Sequence, residues 1–211
     1  MTDAAFAPIE PVLKPRSRAG RLAACLARLA EPGDKTLQTG GGFLGGVFLM
    51  RGAFHEILAP LAEIEAFQAD CQAHGLRLDR LKAWTGGAPA EARAALDAAL
   101  IGPAEAYPAM AAHVRHAAVR LKTGGSLILA EPDTGAGARL ADALVADPGW
   151  RLDSLPAGAA IFRKTAAFEP AMTGAVMARM ADPRRKPRGL RSDLASRLRR
   201  AVFGPHTRRA R

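Results

Sequence analysis

The chain has 211 residues, 49% of them apolar and 5% aromatic, with a formal net charge of +10, a length that suits one well-cored domain with an extension. No run of about eighteen apolar residues occurs, which excludes a membrane-spanning helix, and the early acidic residues of MTDAAFAPIEPVLKPR, with no apolar stretch, exclude a secretory signal. Cys25 and Cys71 stand far apart in helix-like stretches, which predicts buried thiols in a reducing cytoplasm and neither a disulfide framework nor a metal site.

In chain order, Pro8, Pro11 and Pro15 mark an irregular leader over 1–16. SRAGRLAACLARLA (17–30) places Leu22, Leu26 and Leu29 on one helical face, and Glu31-Pro32-Gly33-Asp34 ends it. KTLQT (35–39) is a short strand, followed by Gly40, Gly41, Gly42, Gly45 and Gly46. FHEILA (54–59) is a second strand, and LAEIEAFQADCQAHG (61–75) a helix with Gly75 as its C-terminal cap. LDRLKAW (78–84) alternates as a strand, APAEARAAL (88–96) reads as helix, and DAALI (97–101) as a buried strand. PAMAAHVRHAAVRLK (108–122) is a helix ending at Thr123-Gly124-Gly125, before the buried strand SLILAE (126–131) and the helix GARLADALVAD (137–147). WRLDSL and AAIFRK, on either side of Pro156-Ala157-Gly158, form a closing hairpin. Alternation of strand and helix at this spacing predicts parallel strands with right-handed crossovers, an open α/β sheet. The expected fold is a Rossmann-like, doubly wound, mostly parallel seven-stranded sheet over 17–168, with a basic extension over 169–211.

Two features point to ligands. Gly40, Gly42 and Gly45 fit G-x-G-x-x-G directly after the first strand, where open α/β sheets bind nucleotide-like groups. A Walker A loop is excluded, because no Gly-Lys-Ser/Thr follows at the needed spacing. The second feature is charge. Of 30 Lys+Arg, 12 lie in 179–211 beside only Asp182 and Asp193, so the preceding residues are neutral. Leu190, Leu194, Leu198 and Phe203 interleave there with arginines as a short basic amphipathic helix, suited to nucleic-acid phosphates or an anionic membrane. His113-x-x-His116 lacks further ligands, and no metal is expected.

The order of elements resembles that of class I S-adenosylmethionine-dependent methyltransferases. DAALIGPAEAYPAMAAHVRHAAVRLKTGGSLILAE is similar to a small-molecule group with a strand ending LIDGxHxYP, a helix, LKPGG and a strand ending in acids. Leu100, Ile101, Tyr107, Pro108, Leu121, Lys122, Gly124 and Gly125 match, and LQTGGGF stands where that group has LETGxGx. The resemblance spans about Lys35 to Lys164. It implies S-adenosylmethionine as cofactor, a small-molecule methyl acceptor, and cofactor contacts from Gln38, Gly40, Gly42, Gly45, Glu63 and Trp84. Glu105, Glu131 and Asp133 are the candidate catalytic residues, with Tyr107 and His113 nearby. Departures are as informative. Gln38 replaces a carboxylate, Glu63 is the nearest acid to the end of the second strand, and the Asp and His of LIDGxH have become Gly102 and Glu105. Such losses keep open a catalytically silent module whose tail binds an anionic partner. A nicotinamide-dependent redox enzyme fits less well, since nothing resembles its substrate-side residues.

Overall fold

A computed structural model of the chain describes residues 17–86, 95–102, 106–133, 135–156 and 158–181. Helix α1 (Arg18–Ala27) starts at Ser17, whose hydroxyl accepts from the Gly20 amide at 2.9 Å and so caps a donor that the helix leaves unpaired. Strand β1 (Lys35–Thr39) runs into a short 3-10 turn (Phe43–Gly45) and helix α2 (Gly46–Met50). Next come β2 (Phe54–Leu58), α3 (Leu61–Ala73) and β3 (Leu81–Trp84). After β4 (Leu96–Ile101) follow α4 (Tyr107–Arg120), β5 (Leu121–Ala130), α5 (Gly135–Ala146), β6 (Trp150–Ser154), β7 (Ala159–Lys164) and α6 (Pro170–Met180).

The seven strands form one sheet in the order β3-β2-β1-β4-β5-β7-β6. Adjacent pairs from β3 to β5 are parallel, whereas β7 runs antiparallel to both β5 and β6. Side chains alternate across a strand, so β2, β4, β5 and β7 feed two cores. Leu37, Ala99, Leu127 and Phe162 pack with α4, α5 and Met177 of α6; Ile57, Ala98, Leu100 and Ile161 pack with α1, α2 and α3. The chain turns from β1 to β2 on one side and to β4 on the other, which opens a crevice beyond the carboxyl ends of β1 and β4.

The sheet, its order of elements and the hairpin agree with the sequence reading; four local expectations need correction. Leu78–Arg80 is a 3-10 turn, so β3 begins only at Leu81. The helix read over 108–122 ends at Arg120, because Leu121 is already extended (ψ 137°) and pairs with Leu96. Gly124, at φ 81°, therefore lies within β5, where glycine tolerates the conformation of a non-uniform strand. Leu96, read as the end of a helix, opens β4, and the rest of that helix falls outside the described residues. Finally, α6 lies in the stretch read as extension yet belongs to the core. Met177 is 1% exposed, its carbonyl accepts from the Tyr107 hydroxyl at 2.8 Å, and the Thr173 hydroxyl bonds buried Asp147. The leader 1–16 and the amphipathic helix read over 190–203 lie outside the described residues.

Candidate functional site

At the carboxyl end of β1 the backbone leaves the sheet through Gly40, whose amide donates to Leu58 of β2 at 2.9 Å. Gly40 and Gly42 have φ of 77° and 100°, the left-handed region that a Cβ disfavours. An added Cβ at Gly42 would meet nothing within 4 Å, so the outer side of the loop is open. Its inner side is filled. Gln38 is 1% exposed, and its Nε2 donates to the carbonyls of Gly40 at 2.9 Å and Gly42 at 2.8 Å. Two carbonyl acceptors at one nitrogen fix which way the amide points. A carboxylate in the same place would set its lone pairs against both carbonyls. Gly45 completes the packing: a Cβ there would overlap Gln38 Oε1 and approach His55 Nε2 to 2.6 Å.

Glu63, in the first turn of α3, is exposed and leans over the loop, its Oε2 2.5 Å from the position of a Cβ on Gly41. It is therefore the acid that the fold brings to the glycine turn. Across the crevice, Gly102 donates its amide to the Thr39 carbonyl at 3.0 Å, and a Cβ there would stand 2.5 Å from that same oxygen. The aspartate of the resembled motif has no room at this position; its loss belongs to the close approach of β1 and β4. The hydroxyl of Thr39, buried beside it, has no hydrogen-bond partner.

Glu131 and Asp133 follow β5 at the same edge of the sheet, and both are exposed. Glu131 is the one non-glycine among the described residues with positive φ (51°), and its amide donates to Gly158 at 2.8 Å. Glu105 lies outside the described residues. Trp84 ends β3, but its indole turns back along the sheet, the Nε1 donating to Glu56 Oε2 at 3.2 Å. Glu56 in turn holds Arg120 at 2.9 Å, so the indole is tied into a polar strip facing α4. Tyr107 is a packing residue: its hydroxyl bonds Met177 and burial pushes its pKa up to about 12. His113 and His116 are both shifted down, chiefly by burial, and His116 Nε2 lies 3.4 Å from an Arg120 nitrogen. Among the described residues, no three His, Cys, Asp or Glu side chains group as metal ligands.

The sequence reading missed His55 and Thr36. Both lie on the same sheet face as Gln38, paired across β1 and β2, with Thr36 Oγ1 2.8 Å from His55 Nδ1. A polar residue two positions before buried Ile57, in a strand with a buried face, was the available signal. A cavity of about 430 Å³ occupies the opposite, amino-terminal edge, lined by Lys35, Phe54, Glu56, Arg80, Lys82 and Arg120 among others. The open glycine turn, the strand ends and the crevice between β1 and β4 favour the carboxyl edge, where sheets of this topology hold ligands.

No protein-family model and no curated relative matches the chain. Solved structures do. A cofactor-bound protein, Rv0187 from MTB, is 18% identical, with 76% of this chain and 88% of that one covered at a TM-score of 0.56. A methyltransferase from Geobacter sulfurreducens is 16% identical, with 79% and 91% covered at 0.57. The chain has the class I methyltransferase fold. An O-methyltransferase from Bacillus cereus, in complex with SAH, is 13% identical, with 78% and 92% covered at 0.56. The fold is thus shared with these proteins at low sequence identity.

Proposed function

We propose that the protein is an S-adenosylmethionine-dependent methyltransferase acting on a small-molecule acceptor, with the cofactor held at the carboxyl edge of β1. The observation that carries this reading is the glycine turn, shaped from within by Gln38, open outside at Gly42 and overhung by Glu63. Its open side admits close approach of a ligand to the backbone, which a side chain at Gly42 would block. The bound cofactor supplies an electrophilic methyl group for in-line transfer. Glu63 accepts hydrogen bonds from a pair of ligand hydroxyls, for which two carboxylate oxygens are suited. Trp84, whose indole is held back at Glu56, is left out of these contacts. Gln38 holds the loop and leaves the ligand's ammonium to other partners.

Methyl transfer asks little of the protein beyond alignment and a base that takes the acceptor's proton. Glu131 and Asp133, exposed beyond β5, are the candidates for those tasks, with Glu105, which follows β4 in sequence. The unusual backbone of Glu131 fits a site in which local strain is tolerated because it orients a side chain.

Calorimetric titration with S-adenosylmethionine and S-adenosylhomocysteine tests the reading. Both ligands are expected to bind, Gly42→Val to abolish binding without unfolding the protein, and Glu63→Gln to weaken it about tenfold. That tenfold equals about 1.4 kcal/mol, the scale of exchanging a charged for a neutral hydrogen bond. Absence of heat from either ligand, with a folded protein, would contradict the assignment.

A further inference from the structure

Beneath the glycine turn lies a set of buried groups that the proposed chemistry does not use. His55 is 1% exposed, its ring packed at a tilt against Phe48 of α2 and Phe67 of α3 at centroid distances of 5.6 Å and 5.9 Å. Burial lowers its pKa to about 3, so it carries no charge near neutral pH. Nδ1 lies 2.8 Å from the hydroxyl of Thr36, which is itself buried. Nε2 has no hydrogen-bond partner, nor does Gln38 Oε1, and both flank the small space that a Cβ on Gly45 would fill. An orphaned donor and an orphaned acceptor each carry a desolvation cost, and facing groups can cancel it.

The proton inventory has one arrangement that uses every group. The Thr36 hydroxyl has two nearby acceptors, His55 Nδ1 at 2.8 Å and the Phe54 carbonyl at 3.4 Å, and the shorter contact is the better hydrogen bond. If Thr36 donates to Nδ1, the ring proton is on Nε2, on the side of Gln38 Oε1. The Gln38 amide, with its oxygen turned to His55, then presents both protons of Nε2 to Gly40 and Gly42. We propose, building on the cofactor-loop reading above, that Thr36, His55 and Gln38 form a directional polar clamp, in which Thr36 orients the His55 ring, the ring Nε2 faces Gln38 Oε1, and the Gln38 amide so oriented sets the shape of the glycine turn by its hydrogen bonds from inside the sheet. Gln38 and His55 are positioning residues; they act through the loop and touch no ligand. On this account the glutamine is not a weakened version of a cofactor-binding carboxylate. It has a different task, for which an amide is required and a carboxylate is unsuitable.

The proposal separates from a merely structural role through two readouts that need no cofactor and one that does. In the unliganded protein, ¹⁵N shifts of the His55 ring are expected to report the uncharged Nε2–H tautomer. Amide exchange of Gly40–Gly45 is expected to rise at least tenfold in Gln38→Glu and in His55→Leu. His55→Gln, which restores a donor, is expected to recover most of the protection. S-adenosylhomocysteine binding is expected to weaken at least tenfold in Gln38→Glu. Because His55→Leu can perturb the core, Gln38→Glu at the loop and the wild-type tautomer decide the matter independently of it. An Nδ1–H tautomer, unchanged exchange in Gln38→Glu, or tighter ligand binding by that variant would overturn the clamp. If no ligand binds either protein but exchange and tautomer behave as stated, the clamp stands and the methyltransferase reading falls.

Discussion

Around β7 and α6, buried polar groups are matched to partners supplied by distant segments. Lys164 is 8% exposed, donates to the carbonyls of Ala118 at 2.9 Å and Leu121 at 2.6 Å, and lies 4.1 Å from the Phe168 ring centre. Asp147 accepts from Gly149 and Thr173, and Tyr107 reaches Met177; the Trp150 indole nitrogen is the exception on this side. Within β1 and β2 the buried polar side chains, Thr36, Gln38, Thr39 and His55, are uncharged, and Gln38 Oε1, Thr39 Oγ1 and His55 Nε2 are left without partners. The contrast teaches where each region spends its polar groups. The α6 side uses them to fasten α6 to the domain. The β1 side keeps them beneath a turn whose exterior is open, an arrangement expected where the backbone must hold a shape for a ligand.

The sharpest way to break the comparison is to remove a satisfied group. Asp147→Ala would leave the Gly149 amide and the Thr173 hydroxyl buried without partners, a loss of about 3 kcal/mol. Denaturant unfolding should show that loss, while the spectrum of the remaining protein stays folded. A second change, of opposite location, follows from His55. Its pKa is about 3 when folded and near 6.5 when unfolded. Between those values the unfolded state binds the extra proton, so stability falls as pH drops. The slope is about 1.4 kcal/mol per pH unit below about pH 6. His113 and His116, also shifted down by burial, act in the same direction. Unfolding midpoints taken from pH 7 to pH 4 should therefore decline less steeply in His55→Gln than in the wild type. Smallest is Tyr107→Phe, which removes one neutral hydrogen bond to α6 and should cost about 1 kcal/mol. A loss that also altered cofactor binding would argue against a packing role for Tyr107.

Much of the sheet was legible in the sequence because β4, β5 and β7 carry short apolar runs beside glycine or proline, and β1 runs directly into the glycine stretch. The failures have physical sources. LDRLKAW alternates, and alternation alone does not distinguish a strand from a 3-10 turn leading into one. The Gly124-Gly125 pair imitates a helix cap, while pairing of Leu121 with Leu96 pulls the chain into the sheet three residues earlier. PAMTGAVMARM has a proline at its start and an apolar stripe, but the arginine-rich residues after it masked its membership of the core. At the site, the glycine spacing marked the turn and resemblance marked Gln38 and Glu63. His55 was invisible because its neighbours come from strand register, Thr36 against His55, and not from spacing along the chain. The missing aspartate at Gly102 looked like a lost ligand; the structure shows a backbone approach that leaves no room for it.

Hydrogen exchange with and without S-adenosylhomocysteine compares the two edges of the sheet in one measurement. The ligand is expected to protect residues 38–46, 59–63 and 102 at the carboxyl edge. Residues 54–56 and 80–82, which border the cavity at the amino edge, should exchange at unchanged rates. Protection confined to the amino-edge residues would place the ligand in the cavity and contradict the assignment of the glycine turn as the cofactor site.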